Sequence, residues 1–386
     1  MRILFCNYEY PPLGGGGGVI NALLAEELAN RHQVTVLTSQ GLGLPPDREE
    51  NGVRVIRTPV FFRSRQAAAN LASMLAYLPM GIRTGHRLLK EQTFDIVNTH
   101  FVLPTGPVGD NLSRHAGVPN ILSVHGGDLF DPSKWLSPHR HWVLRKWVSR
   151  LLRRADRVVG QSRNTLQNVA RFYAPEIPTD LIPLGIKRPD TDSASRSDYG
   201  LGADDVVLVT VGRLVARKAV DQLISIVGRL EKKNAHLLLI GSGPQETALR
   251  EITQSLDLNE QVHFLGQVEE AEKFRILAMS DLYVSTSQHE GFGLVFLEAM
   301  ACGLPVVCYD HGGQSDFLED QRTGALLPLN DADSFIARCA ELISDSALRS
   351  RIGEENRRRM ESLYIDACAA RYEALFEETI ARDKRR

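Results

Sequence analysis

Residues Leu282–Cys308 read LYVSTSQHEGFGLVFLEAMACGLPVVC. A β-branched run, Leu282–Ser285, leads into a loop, then an apolar helical pattern opening near Phe292, then a second run at Pro305–Cys308. Strand, loop, helix and strand in succession build parallel sheets covered by helices. The same alternation continues outward. Upstream in this half lie Val206–Val211, His236–Ile240 and Val262–Leu265, and downstream Gly324–Leu327. In the first half the strand candidates are Arg2–Asn7, Gln33–Thr38, Val53–Arg57, Asp95–Thr99, Asn120–Val124, Arg157–Gly160 and Asp180–Pro183, with helical patterns such as Val19–Asn30 and Arg163–Phe172 between them. Residues 187–204 (KRPDTDSASRSDYGLGAD) break the pattern, and their Ser, Asp, Gly and Pro content reads as a linker. The fold class expected is α/β, with two doubly wound domains facing across a cleft. Their bounds are 1–186 and 205–363, with a C-terminal helix at about 364–386 packing back on the first domain.

The chain of 386 residues is long enough for two cores, and 43% hydrophobic with 24% charged content is ordinary for a globular enzyme. A net charge of −2 argues against nucleic acid as a partner. The five cysteines show neither CxxC nor Cys/His ligand spacing, so free thiols in a reducing cytoplasm are expected. No signal peptide and no run of about 18 apolar residues is seen, so the localisation read is cytoplasmic, or peripheral on the cytoplasmic face of a membrane.

Four segments carry chemistry. PPLGGGGGV at Pro11–Val19 sits between strand and helix, where glycines let backbone N–H groups approach an anion. VGRLVARK at Val211–Lys218 ends a strand, and Arg213 and Lys218 can neutralise a diphosphate without metal. IGSGP at Ile240–Pro244 is a further strand-to-turn junction, equally readable as a plain turn. In HEGFGLVFLEAMACGLP, the amides of Gly293 and Leu294 face an anion at a helix start. Glu290 and Glu298, roughly 12 Å apart if wholly helical, exceed the ~5–9.5 Å of a glycosidase pair. They suit two carboxylates holding hydroxyls on either side of a pyrophosphate.

This set resembles the retaining nucleotide-sugar glycosyltransferases of the GT-B fold, glycosyltransferase family 4, whose motif is E-x7-E within HEGFG…EAMACG.P. The glycine loop, the GRL…K run, GSGP and DHGGQSDFLED…TG extend the likeness to effectively the whole chain. The resemblance implies Glu298 on the ribose hydroxyls and Glu290 on the donor sugar. It implies Arg213 and Lys218 on the diphosphate, with Phe292, Gly293 and Leu294 beside it. Gly15 and Gly16 align with the family's glycine pair, with Gly17 next to them, and Gly241 belongs to GSGP. Base recognition is expected near Leu265–Val268, with Val268 in the set. His125 in VHGGD resembles the active-site histidine near the anomeric centre, and His100 is a weaker candidate. Ala219 stands where many relatives have Gly, and the five-glycine loop is longer than usual.

The function implied is transfer of a sugar, with retention, from a nucleotide-diphosphate sugar (UDP ahead of GDP) to a glycan or lipid-linked acceptor in polysaccharide or glycolipid biosynthesis. No cofactor and no metal are expected. The rivals are a GT-B nucleotide-sugar epimerase and a non-catalytic sugar-nucleotide binder. Asp331-Ala332-Asp333 imitates a metal-binding DxD, but it precedes a helical pattern, Ser334–Ile343, and capping explains it. Residues 134–157 hold eight Lys/Arg and the three tryptophans Trp135, Trp142 and Trp147, and read as a basic amphipathic helix suited to an anionic membrane surface. The largely apolar Ala67–Leu89 joins it in suggesting a lipid-linked acceptor.

Overall fold

The computed structural model describes residues 1–41, 43–61, 71–131, 135–190 and 192–385. Part of the apolar segment Ala67–Leu89 (67–70), Lys134 of the basic segment and Arg386 lie outside the described residues. The chain divides into two compact units, Met1–Lys187 with Tyr364–Arg386, and Arg188–Leu363.

In the first unit the strands are β1 (Arg2–Cys6), β2 (Gln33–Ser39), β3 (Asp47–Glu50), β4 (Val53–Thr58), β5 (Ile96–His100), β6 (Asn120–Val124), β7 (Arg157–Gly160) and β8 (Thr179–Leu181). They form one sheet in the order β3-β4-β2-β1-β5-β6-β7-β8. Every pairing is parallel except β3 with β4. The edge strand β3 (DREE) has no sequence signature of a strand. It is held by charge, with Arg54 on Asp47 at 2.8 Å and the buried Arg57 on Glu50 at 2.8 Å.

Helices α1 (Gly16–Ala29), α2 (Leu71–Glu91), α3 (Gly106–Ala116), α4 (Trp142–Arg154) and α5 (Arg163–Phe172) fall between these strands. Side chains alternate across a strand, and β1 shows the result. Ile3 and Phe5 join the core that also holds Leu24 and Leu28 of α1, while Leu4 and Cys6 join that of Tyr77 and Leu88 of α2 and Leu112 of α3. α1 begins at Gly16, inside the glycine run, rather than at Val19. Amides of a first helical turn have no intrahelical partner to lose, so glycine costs least there.

The second unit has β9 (Val206–Val211), β10 (Ala235–Ile240), β11 (Val262–Gly266), β12 (Leu282–Ser285), β13 (Val306–Tyr309) and β14 (Gly324–Leu327), ordered β11-β10-β9-β12-β13-β14 and parallel throughout. Its helices are α6 (Val220–Arg229), α7 (Glu246–Ser255), α8 (Glu270–Met279), α9 (Leu294–Ala301), α10 (Ala332–Ser344) and α11 (Ser346–Met360). Both sheets reverse strand order at one place, between β1 and β5 in the first and between β9 and β12 in the second. Ligands of such sheets bind beyond the carboxyl ends of the strands at that reversal.

Three expectations need correction. Residues 187–204 are not a free linker: from Arg188 on they belong to the second unit, where the Ala194 N–H donates to the Arg275 carbonyl at 3.0 Å and Arg196 pairs with Asp281 at 2.8 Å. The helix expected near Phe292 opens two residues later, at Leu294, because Gly293 takes a left-handed φ of 92° that no α-helix contains, while Phe292 packs against Phe317, ring centroids 5.0 Å apart. Residues 134–157 are not one helix. Only Trp142–Arg154 is α-helical, after a single 3-10 turn at Pro138–Arg140. The DxD imitation is a cap: Asp331 accepts from the Ser334 N–H at 3.1 Å, and Asp333 pairs with Arg229.

A final helix, α12 (Ile365–Asp383), belongs to the first unit and puts Tyr372, Leu375 and Phe376 into the core of Ile3, Phe5 and Leu28. Phe376 is fully buried there. Phe376→Ala is expected to destabilise the first unit by about 3–5 kcal/mol, read as a lower urea midpoint for its unfolding. An unshifted midpoint would separate α12 from that core.

Candidate active site

The loops after β9, β10, β12 and β13 gather most of the second unit's candidates. After β9 the backbone turns at Gly212 and runs through Arg213 to a short 3-10 turn, Ala216–Lys218. After β12 it extends through Thr286 and Glu290 before α9. Glu290 forms an isolated parallel bridge with Gly312, and the Gly313 N–H donates to the Glu290 carbonyl at 2.9 Å. The stretch carrying Glu290 is therefore pinned by the loop after β13.

The Lys218 ammonium donates to Glu290 Oε1, and the Arg217 guanidinium stands 3.5 Å from Oε2 and also donates to the His289 carbonyl. Burial alone would raise the Glu290 carboxyl. The Lys218 charge, then that of Arg217, outweighs it and holds the group below its ordinary value of 4.5. Arg213, expected beside Lys218, is exposed and makes no ion pair with a described residue. Arg217 was not anticipated, and its one sequence signal is its place beside Lys218 in VARK.

Glu298 lies on α9, one turn beyond the left-handed cap Gly293. Its Oε1 meets Lys273 of α8 at 2.9 Å, and Lys273 also reaches Glu270 at 2.9 Å. Here burial prevails over the Lys273 charge, and the carboxyl is pushed up. Its Oε2 is buried with no hydrogen-bond partner among the described residues. Lys273, also unanticipated, sits in EEAEKF, which reads as an ordinary charged helix start. Since α9 starts at Leu294, Glu290 is off the helix that carries Glu298, and the helical-rise separation does not apply.

At Gly241 the backbones of two loops touch. A Cβ there would fall 2.0 Å from the Gly212 carbonyl oxygen, and the Gly241 N–H donates to the Gly266 carbonyl at 2.7 Å. Val268 follows, half-buried, between β11 and α8. Among the described residues no group of three or more His, Cys, Asp or Glu is placed to hold a metal ion.

The first unit holds the remaining candidates. Gly15 caps α1, and Gly16 and Gly17 form its first residues. A Cβ on Gly17 would lie 2.4 Å from the Phe101 ring, and that ring lies 4.4 Å, centroid to centroid, from His125. Phe101, which links the glycine run to His125, was not anticipated. His125 follows β6, its N–H donating to Asp128 at 3.0 Å and its carbonyl accepting from Gln161 at 2.7 Å. Burial pulls the imidazole down to about 4. His100, at the end of β5, is buried, its Nδ1 3.0 Å from His125 Nε2, and it is held well below the usual histidine value by burial and by His125.

Residues 192–359 match the family of glycosyl transferases group 1, and residues 15–185 match the glycosyl transferase 4-like domain. The chain is 31% identical over 268 residues to the GDP-mannose-dependent monoacylated alpha-(1-6)-phosphatidylinositol monomannoside mannosyltransferase of Corynebacterium glutamicum, covering 65% of this chain and 68% of that protein. It is 28% identical over 375 residues to the GDP-mannose-dependent alpha-(1-6)-phosphatidylinositol monomannoside mannosyltransferase of Mycolicibacterium smegmatis, covering 92% of each. In fold it is similar to sucrose-phosphate synthase from Thermosynechococcus elongatus, with a TM-score of 0.84, 24% identity, and coverage of 99% of this chain and 100% of that one. The class defined is a glycosyltransferase of the GT-B fold, and the chain belongs to the family 4 type.

The depressed Glu290 pKa gives a pH signature. A carboxylate with a lowered folded pKa adds stability above its unfolded value, and that stability is lost as pH falls through the folded one. Glu290→Gln is expected to cost about 3 kcal/mol near neutral pH, because it leaves Lys218 facing a neutral partner. The gap from wild type should be full above pH 4.5 and close below it. Urea unfolding of both proteins across that range measures it; a gap that does not change with pH would remove the charge pair as its source.

Proposed function

We propose that this glycosyltransferase moves a hexosyl unit, with retention and without metal, from a nucleoside-diphosphate sugar to a glycan or lipid-linked glycan acceptor. The observation carrying the reading is the convergence of Lys218 and Arg217, from the loop after β9, on Glu290, from the loop after β12. That is the place where the strand order reverses and a ligand opening is expected.

In the second unit, the donor diphosphate takes the positive field of Lys218, Arg217 and the exposed Arg213, and the first-turn amides of α9 add theirs. Charge that develops on the departing diphosphate is met by these cations, a role a metal plays in other transferases. Glu290 then exchanges its Lys218 contact for the sugar hydroxyls. Glu298, with a buried oxygen that no group among the described residues satisfies, takes the ribose hydroxyls, and the backbone near Gly241 and Val268 takes the base. In the first unit, the glycine-run amides and His125 contact the transferred sugar and its acceptor.

Transfer breaks the bond from the anomeric carbon to the diphosphate oxygen and forms one to the acceptor oxygen on the same face, the acceptor hydroxyl's proton passing to the departing diphosphate oxygen. The product anomer, read by proton NMR, tests retention. Lys218→Ala is expected to lower kcat by about 10²–10³-fold while the fold is kept, and an undiminished rate would remove Lys218 from the mechanism. Activity that survives EDTA supports cation stabilisation by the protein alone. In the same buffer a thermal shift with UDP and with GDP selects the base. A ligand at about a hundred times its dissociation constant adds about 2.7 kcal/mol. The relatives named for GDP-mannose make GDP the arm to run beside UDP.

The lipid-linked form of the acceptor draws support from one surface of the first unit. Trp135 and Trp142 are 72% and 69% exposed, with Leu136 and Val143 exposed beside them, while Trp147 packs inward. Lys146 lies over the Trp142 ring at 5.0 Å, and Arg150, Arg153 and Arg154 follow on α4. Exposed aromatics bordered by cations fit an anionic lipid surface. The described residues contain no helix long and apolar enough to cross a membrane. In flotation with vesicles containing anionic lipid, wild type should float. The pair Trp135→Ala and Trp142→Ala should lower partitioning by about tenfold or more, since burying even a fifth of each ring is worth roughly 1 kcal/mol. Equal flotation of both proteins would take the tryptophans out of the contact.

A further inference from the structure

A chain of side-chain hydrogen bonds crosses the first unit from α12 to the candidate site. The Tyr372 hydroxyl meets Ser123 Oγ at 3.0 Å, and Ser123 Oγ meets Asn98 Oδ1 at 3.3 Å. Asn98 Nδ2 meets His100 Nε2 at 2.9 Å, and His100 Nδ1 meets His125 Nε2 at 3.0 Å. Tyr372, Ser123, Asn98 and His100 are all buried.

From this chain we infer that His125 is held as a single neutral tautomer with its proton on Nδ1, and that Tyr372 is the positioning residue that sets it. The inference rests on the reading of His125 as a ligand contact, but its first step is independent of that reading.

The direction of the chain follows from its closed end. Among the described residues Tyr372 has no hydrogen-bond partner besides Ser123. A buried hydroxyl proton without an acceptor is disfavoured by roughly fivefold to a hundredfold, so Tyr372 donates to Ser123. Ser123 must then donate to the Asn98 carbonyl oxygen, which turns the Asn98 amide nitrogen toward His100. An amide nitrogen only donates, so His100 Nε2 is bare and its proton sits on Nδ1. That proton goes to His125 Nε2, and the His125 proton is left on Nδ1. The Gln161 amide, whose Nε2 is committed to the His125 carbonyl, stands beside the ring and favours its protonated form, which suits a ring that donates at Nδ1. Burial keeps both rings neutral at physiological pH.

The chemical consequence is that His125 offers a ligand an N–H. It donates to an oxygen of the bound sugar or acceptor at Nδ1 and takes no proton there, so it is not the general base.

The test is the nitrogen-15 spectrum of histidine-labelled protein near neutral pH, with His125 assigned by the signal missing from His125→Asn. Wild type is expected to show Nδ1 protonated and Nε2 bare, with the other tautomer at least fivefold less populated. Tyr372→Phe removes the hydroxyl that sets the direction and should bring the two tautomers to comparable populations. Ser123→Ala cuts the chain at a second point and should do the same, which covers the case in which Tyr372→Phe fails to fold. A wild-type His125 protonated on Nε2, or a spectrum unchanged in both folded variants, overturns the inference. Kinetics separate the two layers. Tyr372→Phe should lower kcat several-fold with the donor KM unchanged. If the spectra behave as expected while His125→Asn keeps the wild-type kcat, the chain stands and the place of His125 in the chemistry falls.

Discussion

A parallel sheet wound in both directions opens its carboxyl edge where its strand order reverses. Both sheets of this protein obey that constraint, and their functional loops follow from it. β9 and β12 are neighbours although two strands separate them in sequence, so their loops diverge to opposite faces and leave room between them. Lys218 and Glu290 are the residues that those two loops project into that room. The first sheet repeats the arrangement, with the glycine run after β1 and Phe101 after β5. Without the reversal, 72 residues would separate Lys218 from Glu290 with no reason to meet.

The two glutamates of the motif show how position on one short segment decides charge. Both are substantially buried and each has a lysine. Glu290 has two cations and sits where the loop is pinned by Gly312 and Gly313, and its carboxylate is favoured. Glu298 shares its single lysine with Glu270, and burial wins. The charged form of one carboxylate is thus favoured, while the other keeps a buried oxygen without a partner among the described residues. Such an oxygen costs stability when left bare, so a hydroxyl placed on it has more to gain than one placed in water.

Much of this was legible in the residues. The strands of the second unit are marked by short, largely apolar runs such as VVLVTV, AHLLLI and VVCY, because both faces of a parallel sheet are covered. HEGFG and VGRLVARK pointed to Glu290 and Lys218 because catalytic types at strand ends carry meaning in this fold. What escaped was of two kinds. β3 is a charged edge strand, stabilised by Arg54 and Arg57 rather than by burial, and no periodicity announces it. Arg217, Lys273, Phe101 and the chain behind His125 are ordinary residue types given their roles by tertiary contact. Ser123 and Tyr372 are 249 residues apart, a separation no local pattern spans. The start of α9 falls two residues later than its apolar pattern suggests because Gly293 adopts a left-handed backbone, which the pattern does not reveal.

The placement of α12 has a consequence for how the chain is made. The second unit is an insertion: the backbone leaves the first unit after Lys187 and returns at Tyr364, and the two crossings are tied to one another, the Ile365 N–H donating to the Ile186 carbonyl at 2.9 Å. Synthesis runs from the amino end, so on the ribosome the second unit is complete while the first still waits for Tyr372, Leu375 and Phe376. The order of birth of the two cores is the reverse of their order in sequence. Until α12 emerges, the apolar side chains of β1 and α1 stand without their last cover, and surface left open in this way is prone to aggregation.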